Sequence, residues 1–493
     1  MLTRTHRKIP GNQGDTQALN LSVHRLGAAI EPSAVPRPSF VVLVVVHAIT
    51  AGWVATRLNS VCFVRSCMRI AGLVDTIKYR ILPTIHGNRG QHMPNRFETA
   101  LPRRDSDSLK WNLYDAGVTP LWIAEADVRP PQAVIDALAA RVEHGVFGYT
   151  AALGHLSAPG GTWEYPEIAT VICARMKRLY NWDVSPDQLV YLPGVVPGFN
   201  LACKIAGAPG DAVLMHAPCY GPITKAPLNQ GRRATYATLR TEMTADGYAY
   251  HAHDQNAFDA AIDPDTRLFL LCNPHNPTGR AFTHAELTEI GESCIAHDML
   301  ICSDEIHAEL VLSGSTHIPI ATLSPEIAAR TITLISPSKA FNIPGLGFAV
   351  AVIQNPALRA QYMQAMQGLV ASPQVFGYVG ALAAYQHGDE WLAAAQQFYT
   401  DNRDFVASIF RTYAPQLVLN RPEATYLHWI DCRQAELPTN PKEYFLNHAG
   451  VALADGSGFG PAGDGYVRLT FATQRAILEP AVYKLIESLR PFS

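Results

Sequence analysis

Three short apolar segments, at 268–271, 300–302 and 331–335, each break into a polar stretch marked by Gly, Pro or Asn: CNPHNPTGR, SDEIHAE and SPSKAFNIPG. Runs this short and this apolar suit strands buried on both faces of a parallel sheet. Between the first two lies THAELTEIGESCIAHD. There Thr283 and Glu286 have the spacing of a capping box, and Leu287, Ile290, Cys294 and Ile295 fall on one helical face. The order is strand, helix, strand, with strand ends about 30 residues apart, the size of a βαβ unit. The predicted architecture is therefore α/β, with a mostly parallel, doubly wound sheet. Ligands of such sheets bind at the carboxyl ends of the strands, where these three polar stretches fall.

The same pattern extends both ways. Upstream, VYLPGVVPGFNLACKIAG reads as a strand, a Gly-containing turn and an apolar helix, and DAVLMHAPCYGPI as a further strand. Downstream, 389–413 is one long amphipathic stretch, and ATYLHWID and GYVRLTFAT alternate as strands of a smaller α+β layer. The expected organisation is a leader at 1–92, an N-terminal arm and part of the small domain at 93–136, a large domain at 137–387 and a smaller C-terminal domain at 388–493.

Charge separates the leader from the rest. Residues 1–92 carry 11 Lys+Arg against 3 Asp+Glu, leaving 28 against 39 beyond, so a net charge of −3 averages a basic segment and an acidic body. An acidic body argues against nucleic acid as a partner, because phosphates need a basic face. The leader contains PSFVVLVVVHAITAGWVAT at 38–56, nineteen residues without formal charge, barely the length of a spanning helix. A membrane anchor, a cleaved targeting segment and a leader outside the functional enzyme, which would start at Met93, are the competing readings; the last is favoured, and no membrane association follows unless 38–56 forms an anchor. The nine Cys show no CxxC pair and several sit within apolar runs, as expected of buried free thiols in a reducing compartment. No metal site is expected. GxxxxGK[ST] and HExxH are both missing.

A lysine just after a buried strand, Lys339, would be partly desolvated and so favoured as a neutral, nucleophilic amine, the requirement for a Schiff base. Asp304, at another strand end, would hold a pyridinium proton, and Asn276 would donate to a phenolate oxygen. Those are the partners that pyridoxal phosphate needs. Singly each is weak: Lys339 also reads as a solvated loop lysine, and Asp304 as a helix cap.

In order and context, however, these residues resemble the fold-type I pyridoxal-phosphate enzymes of the class I/II aminotransferase group. Within that group the chain is most similar to the MalY/PatB-type cystathionine β-lyase branch. The motifs are LKWN (109–112), LWIAEAD (121–127), HGVFGYT (144–150), PGVVPG (193–198), CNPHNPTGR (272–280), SDEIHAEL (303–310), SPSKAFNIPGL (336–346) and GYVRLTFAT (465–473). The resemblance runs from about Met93 to the carboxyl terminus. It implies pyridoxal 5'-phosphate as cofactor, with Lys339 as the Schiff-base lysine, Asp304 on the pyridine nitrogen and Asn276 on the phenolic oxygen. It further implies Tyr220 stacked on the ring, His307 beside it, and the phosphate held after Gly194 by the N–H groups of Val195 and Val196 and by the hydroxyls of Ser336 and Ser338. Arg468 would grip the substrate α-carboxylate. Tyr149 would reach the phosphate of a neighbouring subunit, since family sites are built across a homodimer interface, and the compartment would be the cytoplasm.

For the reaction, the resemblance implies α,β-elimination on cystathionine or a cysteine S-conjugate, giving a thiol, pyruvate and ammonia. Two markers point to that branch. His307 follows Asp304 by three where many aminotransferases carry Tyr, and FNIPGLGF after Lys339 lacks the Arg that many of them place there. An aminotransferase is the alternative, and a cofactor-binding regulatory module with little turnover is another of a different class. The chain reads AEADV at 124–128 where the branch has ADMDF, and HLSAPGGTWEYPE at 155–167 matches no family motif, so the choice of substrate stays open.

Overall fold

The computed structural model describes residues 97–149, 167–312 and 314–489. The leader at 1–92, its apolar run at 38–56 and residues 155–166 lie outside the described residues. Among the described residues no helix is long and apolar enough to cross a membrane.

A seven-stranded sheet organises the large layer: β1 (Leu189–Leu192), β2 (Ala212–Ala217), β3 (Arg233–Thr238), β4 (Thr266–Cys272), β5 (Leu300–Asp304), β6 (Thr331–Ile335) and β7 (Ala349–Val352). Their spatial order is β1-β7-β6-β5-β4-β2-β3. Every pair from β3 to β6 is parallel, and only β7 runs antiparallel to its neighbours. The sheet is thus mostly parallel, as the runs at 268–271, 300–302 and 331–335 predict, and β4, β5, β6 and β7 are buried except at Arg267 and Leu300. Such strands read as near-continuous apolar runs, because helices cover both faces.

Local sequence explains the helices. Thr283 starts α1 (His284–Ala296) with both bonds of a capping box: its hydroxyl accepts from Glu286 N at 3.3 Å, and the Glu286 carboxylate accepts from Thr283 N at 2.8 Å. Leu287, Ile290 and Cys294 are buried, whereas Ile295 is exposed. Ile295 stands near the last turn and about 80° around the helix from Leu287, off the stripe that faces the sheet. The long helix α2 (Asp389–Tyr413) begins directly after Gly388 and buries Trp391, Ala395, Phe398, Tyr399, Val406 and Phe410 along one face.

A four-stranded antiparallel sheet forms the second layer: β8 (Val418–Leu419), β9 (Leu427–Asp431), β10 (Ala454–Asp455) and β11 (Tyr466–Thr470), in the order β8-β9-β11-β10. The N-terminal arm is tied to this layer, with Thr119 and Pro120 pairing in parallel with Val451 and Ala452. Of the cysteines, Cys203, Cys219, Cys272, Cys294, Cys302 and Cys432 are buried free thiols and Cys173 is half-buried; Cys62 and Cys67 lie outside the described residues. Burial pushes the Cys219 thiol up to about 12, so it stays protonated and inert.

Candidate active site

The carboxyl ends of the parallel strands supply most of one cleft. Asp304 is the last residue of β5, and Asn276 lies in the loop leaving β4. Ser336, Ser338 and Lys339 sit on the short helical turn after β6, and Gly194 to Val196 form the turn from β1 into the helix Val195–Ile205. Tyr220 follows β2, and His307 follows β5. Arg468 comes across from β11 of the second layer. All of these line a single cleft of about 410 Å³. Tyr149 does not line it: its side chain is fully exposed on this chain.

Burial sets the acid–base character. Desolvation raises the Asp304 carboxyl to about 7; Glu305 beside it adds to the rise, while the Ile306 N–H and the Lys339 charge oppose it. Desolvation lowers the Lys339 amine to about 8, reinforced by the Arg468 charge and opposed by Glu125 and Asp304. A carboxyl and an amine that straddle neutrality in one cleft can each change protonation state at small cost. Glu305 itself is engaged elsewhere, by the Ser303 hydroxyl and by His317 Nε2, both at 2.8 Å, which leaves Asp304 as the carboxylate facing the cleft. Burial and the charges of Lys339 and Arg468 hold His307 neutral.

Arg468 is buried and held by two bonds: one Nη donates to Asn276 Oδ1 at 2.9 Å and the other to Trp122 O at 3.0 Å. The Phe459 ring lies 4.9 Å from the guanidinium carbon. The Arg468 Nε hydrogen is buried without a partner, a donor held ready for an anion. Because Asn276 Oδ1 accepts from Arg468, Nδ2 is the group with which Asn276 can donate.

The turn after Gly194 and the hydroxyls of Ser336 and Ser338 also line the cleft. A Cβ placed on Gly194 would meet nothing within 4 Å, so the backbone there leaves open space over the first N–H groups of an eleven-residue helix. Ser336 Oγ lies 2.9 Å from Ser338 Oγ and 2.6 Å from Phe348 O. Backbone and hydroxyl anion donors, an amine, a buried carboxyl and the Tyr220 ring lining one cleft fit pyridoxal phosphate.

Residues 123–485 match the family described as aminotransferase class I and II. The chain belongs to the aminotransferase class I and II family. It is 32% identical over 407 residues to cystathionine β-lyase PatB of Bacillus subtilis, covering 80% of this chain and 99% of that protein. Among solved structures, it is similar to OvoB, at 39% identity and a TM-score of 0.73 over 80% of this chain and all of that one. It also resembles cystalysin of Treponema denticola, whose structure contains pyridoxal 5'-phosphate, at 27% identity and a TM-score of 0.74 over 81% of this chain and all of that one. These likenesses span the large layer, the cleft and the second layer alike.

The cleft has residues that motif reading quoted without assigning a role. Ile123 and Ala124 line it from the LWIAEAD segment, and Pro344 and Gly347 from the loop after Lys339. Lys339 Nζ donates to the backbone oxygen of Ala124 at 2.6 Å. A backbone carbonyl carries no side-chain signature, so no residue type marks it in advance.

Proposed function

We propose that the protein is a pyridoxal 5'-phosphate-dependent carbon–sulfur β-lyase. With one water consumed, it cleaves cystathionine or a cysteine S-conjugate to a thiol, pyruvate and ammonia. The observation that carries this reading is the cleft itself. An amine at about 8, a carboxyl at about 7 and a buried arginine with a free Nε donor converge in a chain similar over 80% of its length to a cystathionine β-lyase.

The bound cofactor supplies an electron sink for the pair released at the substrate Cα. Lys339 would hold the cofactor, and its free amine would take the Cα proton and hand a proton to the leaving thiolate. Asp304 keeps a proton on the pyridine nitrogen, Asn276 Nδ2 donates to the phenolic oxygen, and Tyr220 and His307 hold the ring plane. The N–H groups of Val195 and Val196 after Gly194, with Ser336 and Ser338, bind the phosphate. Arg468 binds the α-carboxylate and sets which Cα bond faces Lys339. Tyr149, exposed on this chain, reaches the phosphate of a second subunit in a homodimer, and the enzyme works in the cytoplasm on small amino acids.

Incubation of the Met93 form with cystathionine or a cysteine S-conjugate, without any keto acid, is the test. Pyruvate and ammonia in equal amounts are expected. Turnover that demands an added keto acid would make the enzyme an aminotransferase instead.

A further inference from the structure

The segment Trp122–Val128 lines the cleft with Ile123 and Ala124, bends at 123–124 and again at 127–128, and its carbonyls hold side chains from several parts of the chain. Trp122 O accepts from Arg468 at 3.0 Å, Glu125 O from Lys110 at 2.9 Å and Val128 O from Asn342 at 2.7 Å. Ala124 O is the acceptor for Lys339 Nζ, and its second lone pair accepts from the hydroxyl of Tyr426 at 3.1 Å. Tyr426 is buried between Tyr399, at a ring distance of 5.4 Å, and His307, at 6.1 Å. It directly follows Thr425, a β-branched residue with φ of 70°, a left-handed conformation that such residues rarely adopt. Strain of this kind persists where the surroundings hold a side chain to a task. Here it turns the chain into β9 so that the hydroxyl meets Ala124.

We propose that Tyr426 is a positioning residue for Lys339: its hydroxyl fixes and partly saturates the Ala124 carbonyl on which the amine rests, so that the amine is delivered neutral. This rests on the reading of Lys339 as the Schiff-base lysine. A carbonyl oxygen bonds an ammonium more strongly than an amine, and so by itself favours the protonated form. A second donor on the same oxygen draws off part of that bonding capacity. The other charged or titratable groups facing Lys339 and Tyr426 are Asp304, His307, Arg468, Glu125 and Tyr399, and a Tyr426→Phe change leaves every one in place.

The test follows cofactor capture by the full chain rather than turnover. Protein stripped of cofactor is mixed with pyridoxal 5'-phosphate, and the growth of visible Schiff-base absorbance is timed across pH. The rate tracks the neutral amine, so in the wild type it rises with pH through a midpoint near 8. In Tyr426→Phe the midpoint moves upward, and capture below it slows by roughly threefold. Tyr399→Phe, whose hydroxyl has no partner, keeps the wild-type midpoint. Tyr426→Met, a second variant without the hydroxyl, covers failure of the first to fold and shifts the same way. An unchanged or lowered midpoint in the Tyr426 variants, or an equal shift in Tyr399→Phe, overturns the proposal. Capture by Lys339→Ala with the wild-type profile would overturn the lysine assignment itself.

Discussion

Two lysines bond carbonyls of the same segment, Lys110 buried and Lys339 half-buried in the cleft, and their partners differ. Lys110 is fully buried and ion-paired: its amine bonds Asp127 at 2.7 Å and Glu125 O at 2.9 Å, while Asp127 also takes Trp111 Nε1 at 2.8 Å and Arg103 at 3.1 Å. Lys339 lies in the cleft with the Ala124 carbonyl as its hydrogen-bond acceptor, and the carboxyl nearest in role, Asp304, is itself raised to about 7. A charge paired with a buried carboxylate makes structure. A charge buried without that pairing shifts toward its neutral form and becomes available for chemistry.

The largest expected effect separates the two directly. Lys339→Ala removes the visible Schiff-base band and lowers turnover by at least about 1,000-fold, with thermal stability close to wild type. A band that survives and can be reduced onto another lysine would erase the contrast. Asp127→Ala acts on the other lysine: it strands a buried ammonium and destabilises the fold by about 3–5 kcal/mol in a denaturant titration, while the molecules that remain folded still capture cofactor. The double change Lys110→Met/Asp127→Leu removes both charges together and recovers much of that loss; equal instability of the single and double variants would show that the pair is not what holds the arm.

Arg468→Ala is expected next in size, with a loss of roughly 100-fold in kcat/KM and an intact cofactor band, because the arginine meets the substrate and not the ring. A band shifted as far as in Lys339→Ala would place Arg468 on the cofactor side. Smallest is Thr283→Ala, which breaks the capping box of α1 far from either lysine. It costs about 1 kcal/mol of stability and leaves kcat/KM unchanged. Any loss of activity there would mean that the cleft is more tightly coupled to the helices behind the sheet than its hydrogen bonds indicate.

Much of the large layer was legible beforehand because its signals are local. Strands buried on both faces read as near-continuous apolar runs, so 268–271, 300–302 and 331–335 announce β4, β5 and β6, and the polar stretches after them hold Asn276, Asp304, Ser336, Ser338 and Lys339. The capping box and the helix 389–413 are equally short-range. Ile295 shows the limit: periodicity puts it on the apolar face of α1, but how far that face is covered depends on where the helix leaves the sheet.

The sequence by itself determined the family, the layering and the residue types that meet at the cleft, because strand periodicity, caps and side-chain chemistry act within a few residues. Only the tertiary structure decided that Arg468 leaves its Nε free while Asn276 and Trp122 hold its ends. It alone placed Lys339 on the Ala124 carbonyl, more than two hundred residues away in sequence, with Tyr426 on the same oxygen. Backbone oxygens are the same at every residue, and desolvation is a property of everything packed around a group; neither can be read until the chain has closed on itself.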